Sequence, residues 1–258
     1  MRTLISVCCL ALIGLAGIVH AEAPKPLKVL LVTGGCCHEY AKQKDLLKSG
    51  LEARAHVVVE QAHSDDKSTK ARFAMYEKAD WASGFDAVIH DECSSDVTEM
   101  PYVQNILNAH KNGLPAVNLH CAMHSYRIGS DDWFQFCGIQ SARHGPQKPI
   151  DVIFVEREHP IVKGFENWTT INEELYNNLK LFDSAKPLAR GKQDVGGNKI
   201  DEYIVAWTNQ YGKGKVFSTT LGHNTETVAD ARYLDLVARG LLWSCDKLND
   251  QYLKPASK

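Results

Sequence analysis

Apolar residues recur in short runs that end on glycine or polar residues, separated by stretches whose apolar positions fall at helical spacing. Leu27 to Thr33 is rich in β-formers and runs into Gly34 and Gly35, and Leu46, Leu47 and Leu51 then mark a helix from Ala41 to Ala53. The same rhythm predicts strands at His56 to Glu60, Phe85 to Ile89 and Leu114 to Leu119, with a helix from Val97 to His110 before the last of these. Such alternation implies a mainly parallel sheet with helices on both faces. After Ser141 the rhythm changes. Ile150 to Val155 reads as a strand, Tyr203 to Trp207 and Lys215 to Thr220 as a hairpin around Tyr211 to Gly214, and Ala229 to Trp243 as a closing helix. The expected fold is a single α/β domain over residues 27–245 with a C-terminal antiparallel extension.

The 44% of hydrophobic residues can fill a sizeable core, and 29 basic against 31 acidic residues leave a net charge of −2 with no basic run, so nucleic acid is not an expected partner. Residues 1–21 read as a secretory signal peptide: Arg2, an apolar stretch from Leu4 to Val19, and small residues up to Ala21. The stretch falls short of the roughly 20 residues that span a bilayer, so the expected product is exported, periplasmic or secreted, without membrane insertion of the mature chain. The oligomeric state stays open. Cys36, Cys37, Cys93, Cys121, Cys137 and Cys245 remain after Ala21, and an oxidising compartment favours their pairing, metal ligation or burial.

Chemistry collects where strands end. The first strand runs into Cys36, Cys37 and His38, the third into His90, Glu92 and Cys93, the fourth into His120, Cys121 and His124, and the last into Gly222 and His223. In an open parallel sheet, ligands bind beyond the carboxyl ends of the strands where strand order reverses, so these loops are expected to line one cleft. The alternative for each histidine taken singly is a local hydrogen bond. Trp207, Tyr203 and Tyr211 offer aromatic faces to a sugar ring, although aromatics in a β-hairpin are more often cross-strand core pairs. Trp133, Phe134 and Phe136 read as the buried face of a helix following Cys121.

Leu119 to Ala122, His159 to Val162, Asn172 to Tyr176, and Trp207 to Phe217 leading to Gly222 and His223 occur in an order that resembles the trehalose-utilisation, or ThuA-like, family. The resemblance runs from Leu27 to about Trp243. It implies a flavodoxin-like, class I glutamine amidotransferase-like fold and a carbohydrate-related site with a divalent metal, zinc being the preferred ion. Imidazole and carboxylate are groups that zinc accepts. The expected ligands are His38, His120 and His223, with Glu174 close by. His120, Glu174 and Cys121 are the candidate catalytic residues, and His90, Glu92, His124, His144 and Trp207 the candidate substrate contacts.

Cys121 sits near the nucleophile position of a glutaminase, but its neighbours His120 and Ala122 lack the glycine of a strained nucleophile turn, and His90 and Glu92 precede it rather than follow. The preferred activity is cleavage or isomerisation of a small keto-sugar or glycoside, with metal and histidine assistance. Its alternative is a non-catalytic sugar-binding protein using the same cleft. Direct two-carboxylate hydrolysis ranks third, because no acid pair of the required separation is identifiable. Cys36 or Cys37 is expected to bond Cys93 or Cys121, a vicinal Cys36–Cys37 bond being poorly placed; thiolate ligation and buried free thiols are the competing fates.

Overall fold

The first strand shows why the sheet is covered on both faces. In a computed structural model that describes residues 24–255, β1 (Leu27–Gly35) is buried along nearly its whole length. Side chains alternate across a strand: Val29 and Leu31 enter one core cluster, Leu30 and Val32 the other. Each such side chain contributes roughly 1.5–3 kcal/mol on burial. Helices α1 (Tyr40–Arg54), through Leu47 and Leu51, and α5 (Ala231–Ser244), through Val237 and Leu241, build the first cluster, whereas α2 (Met100–Lys111) and α3 (Asp132–Cys137) supply Ile106, Leu107, Trp133 and Phe136 to the second.

The remaining elements run β2 (Val57–Ser64), β3 (Ala87–Cys93), β4 (Ala116–Leu119), β5 (Ile139–Gln140), β6 (His144–Phe154), β7 (Trp168–Tyr176), β8 (Lys180–Leu181), β9 (Lys186–Gly196), β10 (Lys199–Tyr211), β11 (Gly214–Thr219), α4 (Thr225–Ala229) and α5 (Ala231–Ser244). Nine strands form one sheet in the order β2-β1-β3-β4-β11-β10-β9-β6-β7. From β2 to β11 every pairing is parallel. From β11 outward every pairing is antiparallel. The expected α/β architecture and its antiparallel extension are therefore present, and the extension makes up half of the sheet's pairings. The chain leaves β1 for β2 on one side and returns to β3 on the other, so the reversal of strand order lies between β1 and β3.

Several boundaries differ from the sequence reading. β3 continues four residues past Ile89, to Cys93. Helix α2 starts at Met100 because Pro101, with no N–H to donate, suits the first helical turn. Cys121 opens no α-helix: residues 120–124 form a single 3-10 turn, and α3 begins only at Asp132, where Trp133 and Phe136 are buried and Phe134 is half-buried. The closing helix starts at Ala231 rather than Ala229, because the Asp230 carboxylate accepts the Arg232 N–H and caps α5. No helix among the described residues is long and apolar enough to cross a membrane. The expected signal peptide, residues 1–21, lies outside the described residues.

Candidate functional site

His38, His120, Glu174 and His223 converge. One ligand atom from each lies within 4.8 Å of the others. His38 follows β1, His120 follows β4 and His223 follows β11, all at carboxyl ends of parallel strands. Glu174 comes from β7, the far edge of the sheet, because the antiparallel half curls until β7 contacts β10 and α4. His120 takes a left-handed φ of 41°, turning the chain sharply off β4. Gly222 does the same before His223 at φ 117°, where a Cβ would also overlap the Tyr233 hydroxyl.

Hydrogen bonds fix which nitrogens face inward. His120 Nδ1 is 2.6 Å from the Thr220 carbonyl oxygen and His38 Nδ1 is 3.2 Å from that of Cys36. A carbonyl only accepts, so both Nδ1 atoms carry the proton and both Nε2 lone pairs point into the cluster. This carbonyl-anchored arrangement is the one metal-ligating histidines use. His38 Nε2 lies 3.1 Å from His223 Nδ1, which lies 3.3 Å from Glu174 Oε2, and His120 Nε2 lies 3.5 Å from the same oxygen. Metal–ligand bonds of 2.0–2.2 Å in a tetrahedron separate ligand atoms by about 3.3–3.6 Å. The three separations of 3.1–3.5 Å lie near that spacing, and all four groups are ones that a small divalent cation accepts.

A shell of further residues holds this set. Glu173 accepts the backbone N–H groups of His223 (3.1 Å) and Asn224 (3.2 Å), and Gln43 donates to the His223 carbonyl. Gln147 donates to Glu174 Oε1 at 3.1 Å. Tyr40 and Tyr176 place hydroxyls 3.0 Å from His38 Nδ1 and 3.2 Å from His120 Nε2. The fields are consistent with a cation site. Burial, with His120 and His223 alongside, pushes the His38 pKa down to about 2, keeping that imidazole neutral. Burial opposes ionisation of Glu174, but the His120 and His223 rings beside its Oε2 outweigh it and hold its carboxyl below the usual carboxylate range. Burial likewise opposes protonation of His223, yet the Glu174 carboxylate prevails and raises its pKa above the ordinary histidine value.

A polar cleft of about 480 Å³ opens on His38 and His223 and is also lined by Lys42, Lys67, Asn224 and Glu226. A larger hollow of about 600 Å³ lies elsewhere, beside Arg54, Trp168, Arg232 and Arg239. Those guanidinium groups already donate to Asp235, Asp230 and the carbonyls of Ile161 and Lys163, which leaves the hollow without a comparable reactive cluster.

Residues 28–244 match the family model described as trehalose utilisation. The chain belongs to the ThuA family. Its ThuA fold is similar to that of a ThuA-like protein from Parabacteroides merdae (TM-score 0.66, 21% identity, 86% of this chain and 90% of that one) and of another from Bacteroides uniformis (0.65, 15%, 87% and 93%). A GMP synthase component from Thermoplasma acidophilum is similar at TM-score 0.51 and 8% identity, over 85% of this chain and 94% of that one, which extends the likeness to glutamine amidotransferase-like folds. A comparison with curated proteins by sequence finds no match.

Within the ThuA frame, His144 lies at the rim. Its half-exposed ring has Nε2 3.6 Å from Glu174 Oε2. His124 is buried just behind, stacked on Tyr176 with ring centroids 4.0 Å apart and bonded to Ser141; burial first, then His120, pushes its pKa down to about 3.

Four assignments need correction. His90 and Glu92 are wholly buried on the face of β3 opposite Cys93, since side chains alternate along the strand; they bond each other at 2.9 Å, with His110 and Tyr126 completing a closed network out of a ligand's reach. Trp207 is also fully buried, donating from Nε1 to the Cys137 carbonyl, so it offers no face to a sugar. Cys121 is bonded to Cys93 and is 5% exposed, so it is no free nucleophile. The disulfides are Cys36–Cys37 and Cys93–Cys121, not a bridge from the first loop to the others. The Cα atoms of Cys93 and Cys121 stand 5.2 Å apart, within the usual bonding range. Sequence reasoning missed Gln43 and Gln147, whose partners are distant along the chain, and Tyr40, which sits two residues from its partner His38, while Tyr176 lay unremarked within a family segment.

Proposed function

We propose that this ThuA protein is an exported carbohydrate-processing enzyme that binds a divalent cation, zinc by preference, through His38, His120, Glu174 and His223, and cleaves or isomerises a small carbonyl-bearing sugar. The observation that carries the reading is the convergence of the four ligand atoms within 4.8 Å. The family description supports the substrate class, and a polar cleft of about 480 Å³ suits a small sugar. A bound cation would draw electron density from the sugar carbonyl and so acidify the neighbouring C–H bond. With His120 and Glu174 in the ligand set, the proton-moving group comes from the rim, and His144 is the residue that the geometry favours. Its Nδ1 lies 2.8 Å from the Gly145 carbonyl oxygen, which it bonds as donor, leaving Nε2 to take the proton from carbon and return it to the departing glycosidic oxygen. Addition of water to the resulting double bond completes net hydrolysis.

The test is turnover of a keto-glycoside by metal-loaded protein, followed by release of the reducing sugar. His144→Gln should lower kcat with bound metal unchanged. Sugar binding without turnover would replace the enzyme by a binding protein using the same cleft. Export is checked by mass spectrometry of the protein from its host, with a mature chain expected to begin near Glu22.

A further inference from the structure

Four of the six cysteines among the described residues meet at one place. Cys36 and Cys37 follow β1, Cys93 ends β3 and Cys121 follows β4, so the reversal of strand order that brings the histidines together also gathers the sulfurs. The two disulfides touch: Cys36 Sγ lies 3.4 Å from Cys93 Sγ. Tyr40 packs against Cys36, Cys93 and Cys121, and its hydroxyl is 3.0 Å from His38. The close approach is built into the backbone. Gly35 has φ 97°, and a Cβ there would overlap the Cys93 carbonyl oxygen, so only glycine lets the end of β1 lie this close to Cys93. Exposure is graded along the sulfurs, with Cys37 exposed, Cys36 half-buried, and Cys93 and Cys121 at 4% and 5%. The other two cysteines stand apart, and burial pushes the Cys137 thiol up and that of Cys245 to about 12, which makes both poor nucleophiles.

We propose that Cys36–Cys37 and Cys93–Cys121 form a thiol–disulfide relay that accepts two electrons from a dithiol at the surface and delivers them to the buried pair. The activity is independent of the sugar chemistry proposed above. One donor thiolate attacks Cys37, breaking the Cys36–Cys37 bond and releasing Cys36 as a thiolate. Cys36 then attacks Cys93, forming Cys36–Cys93 and releasing Cys121. The donor's second thiolate displaces Cys37, and the donor leaves as a disulfide. Cys37 finally attacks Cys36, restoring Cys36–Cys37 and releasing Cys93. The donor is oxidised by two electrons, Cys93 and Cys121 are reduced to thiols, and the donor's two protons end on them. Exchange needs a thiolate within reach of a disulfide sulfur, which the Cys36 to Cys93 contact supplies.

The probe is dithiothreitol, with alkylation and peptide mapping following each cysteine in the full-length protein. In the wild type, Cys93 and Cys121 should become alkylatable, and in Cys36→Ser/Cys37→Ser their reduction should slow by at least about tenfold, because the surface entry is gone. A second variant keeps the test decisive if the double variant does not fold. In Cys121→Ser the freed Cys93 should attack Cys36, and non-reducing maps should find a Cys36–Cys93 linked peptide with Cys37 alkylatable. Equal reduction rates with and without Cys36 and Cys37, or a Cys121→Ser protein holding only Cys36–Cys37 beside a free Cys93, would overturn the relay.

Discussion

Glu173→Gln tests how the His223 loop is held. Glu173 is fully buried and its two oxygens accept from two successive backbone N–H groups, His223 at 3.1 Å and Asn224 at 3.2 Å. Hydrogen bonds to a charged group contribute roughly 1.5–3 kcal/mol each. Glutamine keeps one acceptor and turns its NH₂ toward the other N–H, so the exchange loses one bond and leaves a donor buried without a partner, a cost of about 2–3 kcal/mol. Glu173→Ala loses both and should cost about 3–5 kcal/mol, reduced where water enters the space. Because Glu173 touches the backbone of His223, a proposed metal ligand, without itself joining the proposed ligand set, metal affinity should fall about 10–100-fold in Glu173→Gln. Urea unfolding gives the stability change, and competition with a chromogenic chelator gives the affinity. An unfolding midpoint and a zinc affinity both equal to those of the wild type would refute the view that Glu173 positions His223.

Asp230→Ala removes the cap of α5 and should cost about 1 kcal/mol at neutral pH by urea unfolding. Hydrogen bonding with the Arg232 side chain outweighs burial and lowers the Asp230 pKa in the folded state, so this stabilisation is present above the unfolded aspartate value of about 4 and is lost as pH falls through the folded value; the gap between variant and wild type should close in acid. Trp207→Ala should lower stability by about 3–5 kcal/mol, whereas Trp207→Phe, which keeps most of the packing, should leave sugar binding unchanged; loss of sugar binding in a folded Trp207→Phe protein would restore the aromatic-platform reading.

The parallel strands and three of the four cluster residues are legible in the sequence for a common reason. Topology forces the carboxyl ends of parallel strands to one edge, so His38, His120 and His223 need only follow apolar runs to be found together. Glu174 is different: its strand lies at the opposite edge of the sheet, and only the curl of the antiparallel half returns it, so the family segment signalled it where spacing could not. His90 and Glu92 show the cost of a misplaced boundary. Ending β3 at Ile89 puts them in a cleft loop, whereas continuing it to Cys93 turns them into the opposite core. The disulfides were illegible because pairing depends on Cα separations across three loops.

Elemental analysis of the purified protein, repeated for single alanine variants of His38, His120, Glu174 and His223, tests the metal cluster most directly. His63, whose Nδ1 bonds the Thr33 hydroxyl outside the cluster, supplies the control as His63→Ala. The wild type and His63→Ala should carry the same divalent ion in stoichiometric amount, with each of the four cluster variants depleted while still folded. A metal-free wild type after zinc loading, or equal metal in all six proteins, would contradict the assignment of these residues as a metal centre.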